Sequence, residues 1–514
     1  MRAVLAFLLA AAGSAASAQP LPIDDLQRLF IEDTVALIKP PSKAAGERAR
    51  AAMVAAARAR AAGDNGEMRR HLAEARVVLA GAAWNRDEAF LASLAIRPEH
   101  SAVDPSEPLT VRIGQFYGAR PESDAPVELA LGVLENGVIV PGPEWRALVP
   151  WRPGTDATLT IPLGGLRDGP VDLWVQARQG PHTIGQTVLG IELANGLRRD
   201  LADIERRRAG LRAAPGLAAS LAYPADLVRT LDDRSRQVVK TDLRAVLDRT
   251  LALLGEAEAD RDPLLRAKDD RERHYASATS HRIEPYRLLV PECWDGTAQL
   301  ALVVLLHGSN GDHNRPFASG EAARLAALHC WAVLAPMGYS PNSGWGNHLP
   351  VVLADGSMPA PRPSTIAGVV LPRDGVDPEP AERDVLDALA AVRAEYPIDP
   401  ARIYLAGNSM GGEGVWYLAQ RYPELWAAVA PAAGAIAPAD YPYARLGKLP
   451  VLAVHGDKDE IISYAASAEM VRRLNRAGGN GRLLTVPGGG HRSFETVLDQ
   501  VFAFFAGQLR KDHD

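Results

Sequence analysis

The chain is poor in cysteine, sparing with aromatics and nearly balanced in charge. Only Cys293 and Cys330 occur in 514 residues. Two cysteines make at most one bridge, so a disulfide scaffold is excluded. Neither has a His or a second Cys at ligand spacing, and no zinc site is expected. They flank one expected strand and the helix after it, so a single bridge in an oxidising compartment is sterically open but not required. A formal net charge of -6 sets up no field that would draw nucleic acid or an anionic membrane. Beyond the first residues, no apolar run is long enough to span a bilayer.

What is present has the texture of a globular protein. Hydrophobic residues at 47% and charged residues at 23% are ordinary values, and the length suggests about three units. The N-terminus reads as a secretory signal. Arg2 precedes the apolar run Ala3 to Ala12, and Ala16, Ser17 and Ala18 form a small-residue cleavage pattern. Cleavage after Ala18 would leave a periplasmic or secreted protein with no membrane span; the alternative is a retained membrane anchor.

Residues 19–96 read as helical, with Lys43 to Ala62 and Glu67 to Ala80 separated by a Gly/Asn/Asp break. Residues 97–195 change to short strand-like runs: Leu109 to Ile113, Val127 to Leu134, Ala157 to Ile161, Val171 to Ala177 and Thr183 to Leu193. Asn136 followed by Gly137 is a hairpin signal. Strand count alone suggests an immunoglobulin-like β-sandwich, through which the chain could self-associate. Residues 196–274 return to helical spacing, with Pro215 and Pro224 as breaks, and read as a connector.

Residues 275–514 alternate strands and helices. Leu300 to Leu306, Trp331 to Pro336, Ile403 to Ala406, Val451 to Val454 and Leu483 to Val486 are nearly all apolar. That pattern calls for a parallel sheet covered on both faces, with its active site at the carboxyl ends of the strands.

The chemistry concentrates there. Gly407, Asn408, Ser409, Met410 and Gly411 form a G-x-S-x-G pentapeptide between an apolar strand and a helical run. In that context the serine sits on a strained turn with its Oγ exposed. Outside it, the same five residues are merely a Gly-rich turn. A serine hydroxyl needs a base, and the base needs an acid to orient it. His491 follows the last expected strand on a glycine-loosened loop. His455 and His307 stand at strand ends, where a structural role is expected, and His513 lies in a polar tail. Asp457, Asp459 and Glu460 share the preceding loop. Asp459 is preferred because the chain can turn there towards His491 ahead of Ile461. The backbone N–H of Met410 is expected to stabilise an oxyanion, joined by Ser309, or by Gly308 or Asn310. Tyr339, Trp345 and His348 are candidate pocket walls, and the Pro-rich stretch from Val351 to Pro380 could form a lid or a surface excursion.

Pro285 to Pro291, Leu305 to Asp312, Tyr396 to Gly412, His455 to Asp459 and Gly490-His491 together resemble the α/β-hydrolase superfamily, covering about the last 240 residues. The resemblance is to its secreted serine esterases, with their feruloyl-esterase-like, polyhydroxybutyrate-depolymerase-like and predicted-peptidase members. Some of these carry an immunoglobulin-like module before the hydrolase. The resemblance implies Ser409, Asp459 and His491 as a triad acting on small-molecule or polymer-attached esters without metal or cofactor. Glu413 departs from the family pattern, which often has an aromatic residue there, and so bears on acyl or alcohol preference. A peptidase on the same parts and a non-catalytic binding protein are the rival readings.

Overall fold

The computed structural model describes residues 40–510 apart from 136–137, 140–146, 237–240, 348–364, 367–368, 371–377, 437 and 440. The signal-like N-terminus, the Asn136 turn, His348, His513 and most of the Pro-rich stretch therefore lie outside the described residues.

The chain opens with a helical hairpin, α1 (Lys43–Ala61) and α2 (Asn65–Leu79). Asp64 caps α2 by accepting the Glu67 N–H at 3.0 Å, which satisfies one of the orphan donors of the first turn. Met53, Ala56, Leu72, Ala75 and Val78 form its small core. A short helix, α3 (Arg86–Ser93), leads into the β-rich unit. There β1 (Leu94–Pro98), β2 (Ala102–Val103), β3 (Leu109–Gln115), β4 (Val127–Glu135), β5 (Val138–Ile139), β6 (Ala147–Trp151), β7 (Ala157–Ile161), β8 (Gly169–Gln179) and β9 (His182–Leu193) form two sheets. The three-stranded sheet β1-β3-β7 and the larger sheet built on β4, β8 and β9 share one core, including Ile96, Val111, Ile113, Leu129, Leu131, Leu173 and Ile191. The expected helical stretch to residue 96 therefore ends early. Leu94, Ala95 and Ile96 pair antiparallel with Ile113, Gly114 and Gln115, and pairing with a neighbouring strand outweighs local helical texture.

Three helices follow: α4 (Leu197–Arg208), α5 (Pro215–Asp232) and α6 (Leu243–Glu258). Pro215 opens α5, where no N–H is needed. Pro224, expected to break the helix, lies inside it. The lost backbone bond is tolerated because Leu217, Leu221, Leu227 and Leu231 bury a common face against the neighbouring helices.

The C-terminal unit is an eight-stranded sheet with order β10-β11-β13-β12-β16-β17-β18-β19. Its elements are β10 (Asp270–Ala276), β11 (Ile283–Leu289), β12 (Leu300–Leu306), α7 (Glu321–His329), β13 (Ala332–Pro336), a two-residue pair β14 (Thr365–Ile366) and β15 (Val369–Val370), α8 (Pro378–Glu395), β16 (Ile398–Asn408), α9 (Met410–Arg421), β17 (Ala428–Ala432), β18 (Pro450–Gly456), α10 (Tyr464–Arg476), β19 (Asn480–Val486) and α11 (Leu498–Ala506). From β13 to β19 the strands run parallel, while β10 and β11 extend the edge antiparallel. β10 starts inside the stretch expected to be connector. Its charged sequence, Asp270 to Tyr275, lacks the apolar run that marks the central strands. Between Cys293 and Cys330 there is one disulfide, with sulfurs 2.19 Å apart.

β12 shows how the sheet is built. Leu300, Leu302, Val304 and Leu306 face one core with Leu389, Val392, Trp416, Leu418 and Met470. Ala301, Val303 and Leu305 face the other with Leu325, Val501, Phe502 and Phe505. All seven residues are buried, so the period-two pattern disappears from the sequence while surviving in space. Fully burying side chains of this size contributes roughly 1.5–3 kcal/mol each. This rigid double-sided core holds the loops at the carboxyl ends of β12, β16, β18 and β19.

Candidate active site

Ser409 joins β16 to α9 with φ 59° and ψ -122°. A non-glycine residue rarely adopts such a backbone, and its strain is sustained by what surrounds it. The Ser409 N–H donates to the Ala432 carbonyl at 2.9 Å, and the Glu413 N–H to the Ser409 carbonyl at 3.0 Å. A Cβ at Gly407 would come within 2.7 Å of the Gly411 carbonyl oxygen. One at Gly411 would lie 2.3 Å from the Leu306 carbonyl oxygen. Only glycine lets β16, β12 and the helix start approach so closely. Ser409 itself stays half-exposed.

The other two side chains arrive from β18 and β19. The loop after β18 is clamped to the loop after β19: the Gly488 N–H donates to Asp457 Oδ1 at 2.7 Å, and the Lys458 N–H to the Gly489 carbonyl at 2.9 Å. A Cβ on Gly456 would meet the Gly489 carbonyl at 2.2 Å. This clamp sets His491 over Ser409. His491 Nε2 lies 2.9 Å from Ser409 Oγ, and Nδ1 lies 2.9 Å from Asp459 Oδ2 and 3.2 Å from Oδ1. Ser409, His491 and Asp459, 82 and 32 residues apart along the chain, thus form one hydrogen-bonded line. Asp457 is exposed and ties the loop rather than the imidazole, and Glu460 is exposed.

Asp459 Oδ1 accepts the Ile461 and Ile462 N–H groups at 2.8 and 3.0 Å. Burial alone would raise its carboxyl. Contacts with His455 and His491, together with the backbone donors, outweigh burial and hold it well below the usual carboxylate range. Asp459 is therefore an anion throughout the working pH range and cannot serve as the proton store. With Nδ1–H donated to that anion, His491 presents an unprotonated Nε2 to the serine hydroxyl.

His455 has the structural role expected of it, with a partner the sequence did not point to: the same carboxylate. His455, fully buried, places Nε2 3.1 Å from Asp459 Oδ2 and 3.3 Å from the Ile462 carbonyl. Its Nδ1 lies 2.7 Å from Ser467 Oγ. The available signal was its position four residues before Asp459, at the end of a buried strand. His307, also buried, has Nε2 2.8 Å from the Met337 carbonyl and Nδ1 2.9 Å from the Gly308 carbonyl. It braces the loop after β12, and burial lowers its imidazole pKa.

The candidate oxyanion donors lie on both sides of the serine. Met410 opens α9, so its N–H has no carbonyl one turn back within the helix. In the loop after β12, Asn310 N–H is committed to the Pro341 carbonyl and to Asn342 Oδ1, each at 3.0 Å. Asn310 is thus removed as a donor. Ser309 is exposed, and Gly308 packs on Ser409, where an added Cβ would sit 3.4 Å from Ser409 Cβ.

The expected pocket walls divide. Tyr339 is half-buried, with the Arg282 guanidinium 4.4 Å from its ring centroid. Trp345 is not a wall. It has no solvent-exposed surface, donates to the His307 carbonyl at 3.1 Å, and fills the space over Gly338 and Gly414. Its local Gly-rich sequence suggested a loop open to solvent, but those glycines admit the indole into the core. Glu413 is buried one turn after Ser409, its Oε2 3.5 Å from Asn347 Nδ2. Among the described residues, no cluster of three or more His, Cys, Asp or Glu could hold a metal ion, and no helix is long and apolar enough to cross a membrane.

The protein family described as phospholipase/carboxylesterase matches residues 381–508, the stretch that carries Ser409, Asp459 and His491. A thermostable esterase of known structure is 16% identical with a TM-score of 0.39, covering 81% of this chain and 100% of that one. An S-formylglutathione hydrolase from Staphylococcus aureus is 17% identical with a TM-score of 0.36, covering 46% of this chain and 96% of its own. A feruloyl esterase module from Clostridium thermocellum is 15% identical with a TM-score of 0.34, covering 48% and 92%. No curated protein matches the chain. The family match and the sheet order give the C-terminal unit the α/β-hydrolase fold, preceded by a β-rich unit.

Proposed function

We propose that this chain is a serine carboxylesterase working through an acyl-enzyme, exported to the periplasm or beyond. The observation that carries the reading is the line Ser409 Oγ, His491 Nε2, His491 Nδ1, Asp459 Oδ2, with 2.9 Å at each hydrogen bond, headed by a half-exposed serine on a strained turn.

The steps follow from those positions. Ser409 Oγ attacks the ester carbonyl carbon as its proton passes to His491 Nε2. The carbonyl oxygen takes the negative charge and is held by the N–H groups of Met410 and Ser309. Asp459 stabilises the imidazolium and keeps its orientation. The carbon–oxygen bond to the alcohol breaks, and His491 returns the proton to the departing alkoxide. Water, deprotonated by the same imidazole, attacks the acyl-enzyme carbonyl, and the carboxylic acid leaves with Ser409 regenerated. No metal or organic cofactor enters this scheme. The substrate is a small-molecule or polymer-attached ester, and we assign the β-rich unit as an immunoglobulin-like module that holds substrate, partner or a second copy.

The test is hydrolysis of p-nitrophenyl acetate by the wild type and by Ser409→Ala. Turnover that vanishes in the variant supports the reading. Equal rates in both, or cleavage of a peptide p-nitroanilide in preference to the ester, overturn it.

A further inference from the structure

The loop after β12, expected to supply an oxyanion donor, does not hold its shape alone. Asn310 sits at φ 59°, a left-handed conformation that asparagine adopts more readily than most residues but still at some cost. Across from it, the loop after β13 contributes Asn342, which is buried to 1% exposure. The Asn342 carboxamide grips Asn310 at two points, its side-chain oxygen and its backbone N–H. Asn342 Nδ2 donates to Asn310 Oδ1 at 2.8 Å, and the Asn310 N–H donates to Asn342 Oδ1 at 3.0 Å. The same N–H reaches the Pro341 carbonyl at 3.0 Å. On the other side of Ser309, the Gly311 N–H donates to the Gly308 carbonyl at 3.1 Å, and Gly308 packs against Ser409. The Ser309 amide is therefore held between two fixed points.

The loop carrying Asn342 is itself anchored to the nucleophile's helix and to the core. The Gly344 N–H donates to Met410 Sδ at 3.3 Å. The Gly338 N–H donates to Asp384 Oδ2 at 2.5 Å. Buried amides with all partners in place fix a single arrangement, and losing one partner leaves an unsatisfied group.

Resting on the esterase reading above, we infer that Asn342 is a positioning residue for the oxyanion hole: its carboxamide clasps Asn310 and so aims the Ser309 N–H at the developing oxyanion. Asn342 touches no reacting atom. Its effect falls on the transition state, where the charge forms, and not on the ground-state ester. Misplacing such a donor by about 1 Å can cost about a hundred-fold in rate.

The experiment compares Asn342→Leu, Asn342→Asp and Asn310→Gly with the wild type on p-nitrophenyl acetate, alongside inhibition by an alkyl trifluoromethyl ketone, whose serine adduct carries a full oxyanion. Asn342→Leu is expected to lower kcat by about ten- to a hundred-fold with KM within about two-fold, and to raise the ketone's Ki by the same factor as kcat/KM falls. Asn342→Asp can still clasp Asn310 once the Asn310 amide is flipped, and should recover most of the rate. Asn310→Gly keeps the backbone conformation and the N–H bond to Asn342 but removes the other half of the clasp, so it should lower kcat and raise the ketone's Ki in proportion, by less than Asn342→Leu, and it reads even if the latter fails to fold.

Wild-type kcat and Ki in Asn342→Leu or Asn310→Gly overturn the inference. So does a fall in kcat with the ketone's affinity unchanged. If instead the wild type neither turns over the ester nor binds the ketone, the esterase reading itself has failed.

Discussion

Replacing Asp459 by asparagine isolates the orienting role of the acid while preserving its size. In the native site Oδ2 faces two imidazoles, His491 Nδ1 at 2.9 Å and His455 Nε2 at 3.1 Å, and Oδ1 faces two backbone N–H groups, with His491 Nδ1 farther off at 3.2 Å. Every neighbour is a donor. An amide has only one acceptor, so its NH2 must face one of these pairs. The backbone donors cannot change, which leaves the oxygen with Ile461 and Ile462 and turns the NH2 towards the histidines. His491 can then accept only by moving its proton to Nε2, where it meets the Ser409 hydroxyl and can no longer take its proton. A wrong tautomer of this kind costs about ten-thousand-fold in kcat, equivalent to about 5.5 kcal/mol at about 1.36 kcal/mol per decade. Initial rates on p-nitrophenyl acetate, normalised to folded protein by circular dichroism, measure it. Asp457→Asn, on the same loop but exposed, should lose less than about five-fold on this scheme. A loss below about ten-fold for Asp459→Asn, or equal losses for the two variants, would refute the assignment of the acid.

Two further outcomes follow from the fold. Asp384, buried behind the loop after β13 and bonded to the Tyr275 hydroxyl, has its pKa raised to about 7, chiefly by burial and then by the Glu284 charge. The native state thus keeps a proton that the unfolded chain loses near pH 4, so this group's stabilisation is complete below that pH and declines as pH rises to about 7. At most this is worth about 4 kcal/mol. Urea unfolding between pH 5 and 8 should show the decline in the wild type and a flatter profile in Asp384→Asn, and identical slopes would contradict the assignment. The Cys293–Cys330 bridge spans 37 residues, for which loop-closure entropy gives about 4 kcal/mol. The Cys293→Ser, Cys330→Ser double variant should lose stability of that order, and the wild type under reductant should match it. No change in unfolding midpoint would mean the bridge does not stabilise the folded chain.

The line Ser409, His491, Asp459 was legible because its spacing is tied to strand ends. Each residue follows an apolar run, and chain order fixes which loop can face which. The central strands were legible for the same reason, since burial on both faces leaves a continuous apolar signature. Charged β10 and the short strand β1 were not, because their pairing is decided by partners far along the chain and their own composition points elsewhere. Trp345 was misplaced because a Gly-rich stretch reads as open loop, whereas here Gly338 and Gly414 give up their side-chain space to an indole. His455 was legible as a structural residue at a strand end, but its partner Asp459 was not, and Asn342 escaped notice, because nothing local marks which residue another one holds.

The central claim, a nucleophilic Ser409 activated by His491, is tested most directly by intact-protein mass spectrometry after exposure to a fluorophosphonate. A single phosphonyl adduct, mapped by peptide fragmentation to Ser409 and absent from both Ser409→Ala and His491→Ala, is the predicted result. No adduct on the folded wild type, or one on a different residue, would contradict it.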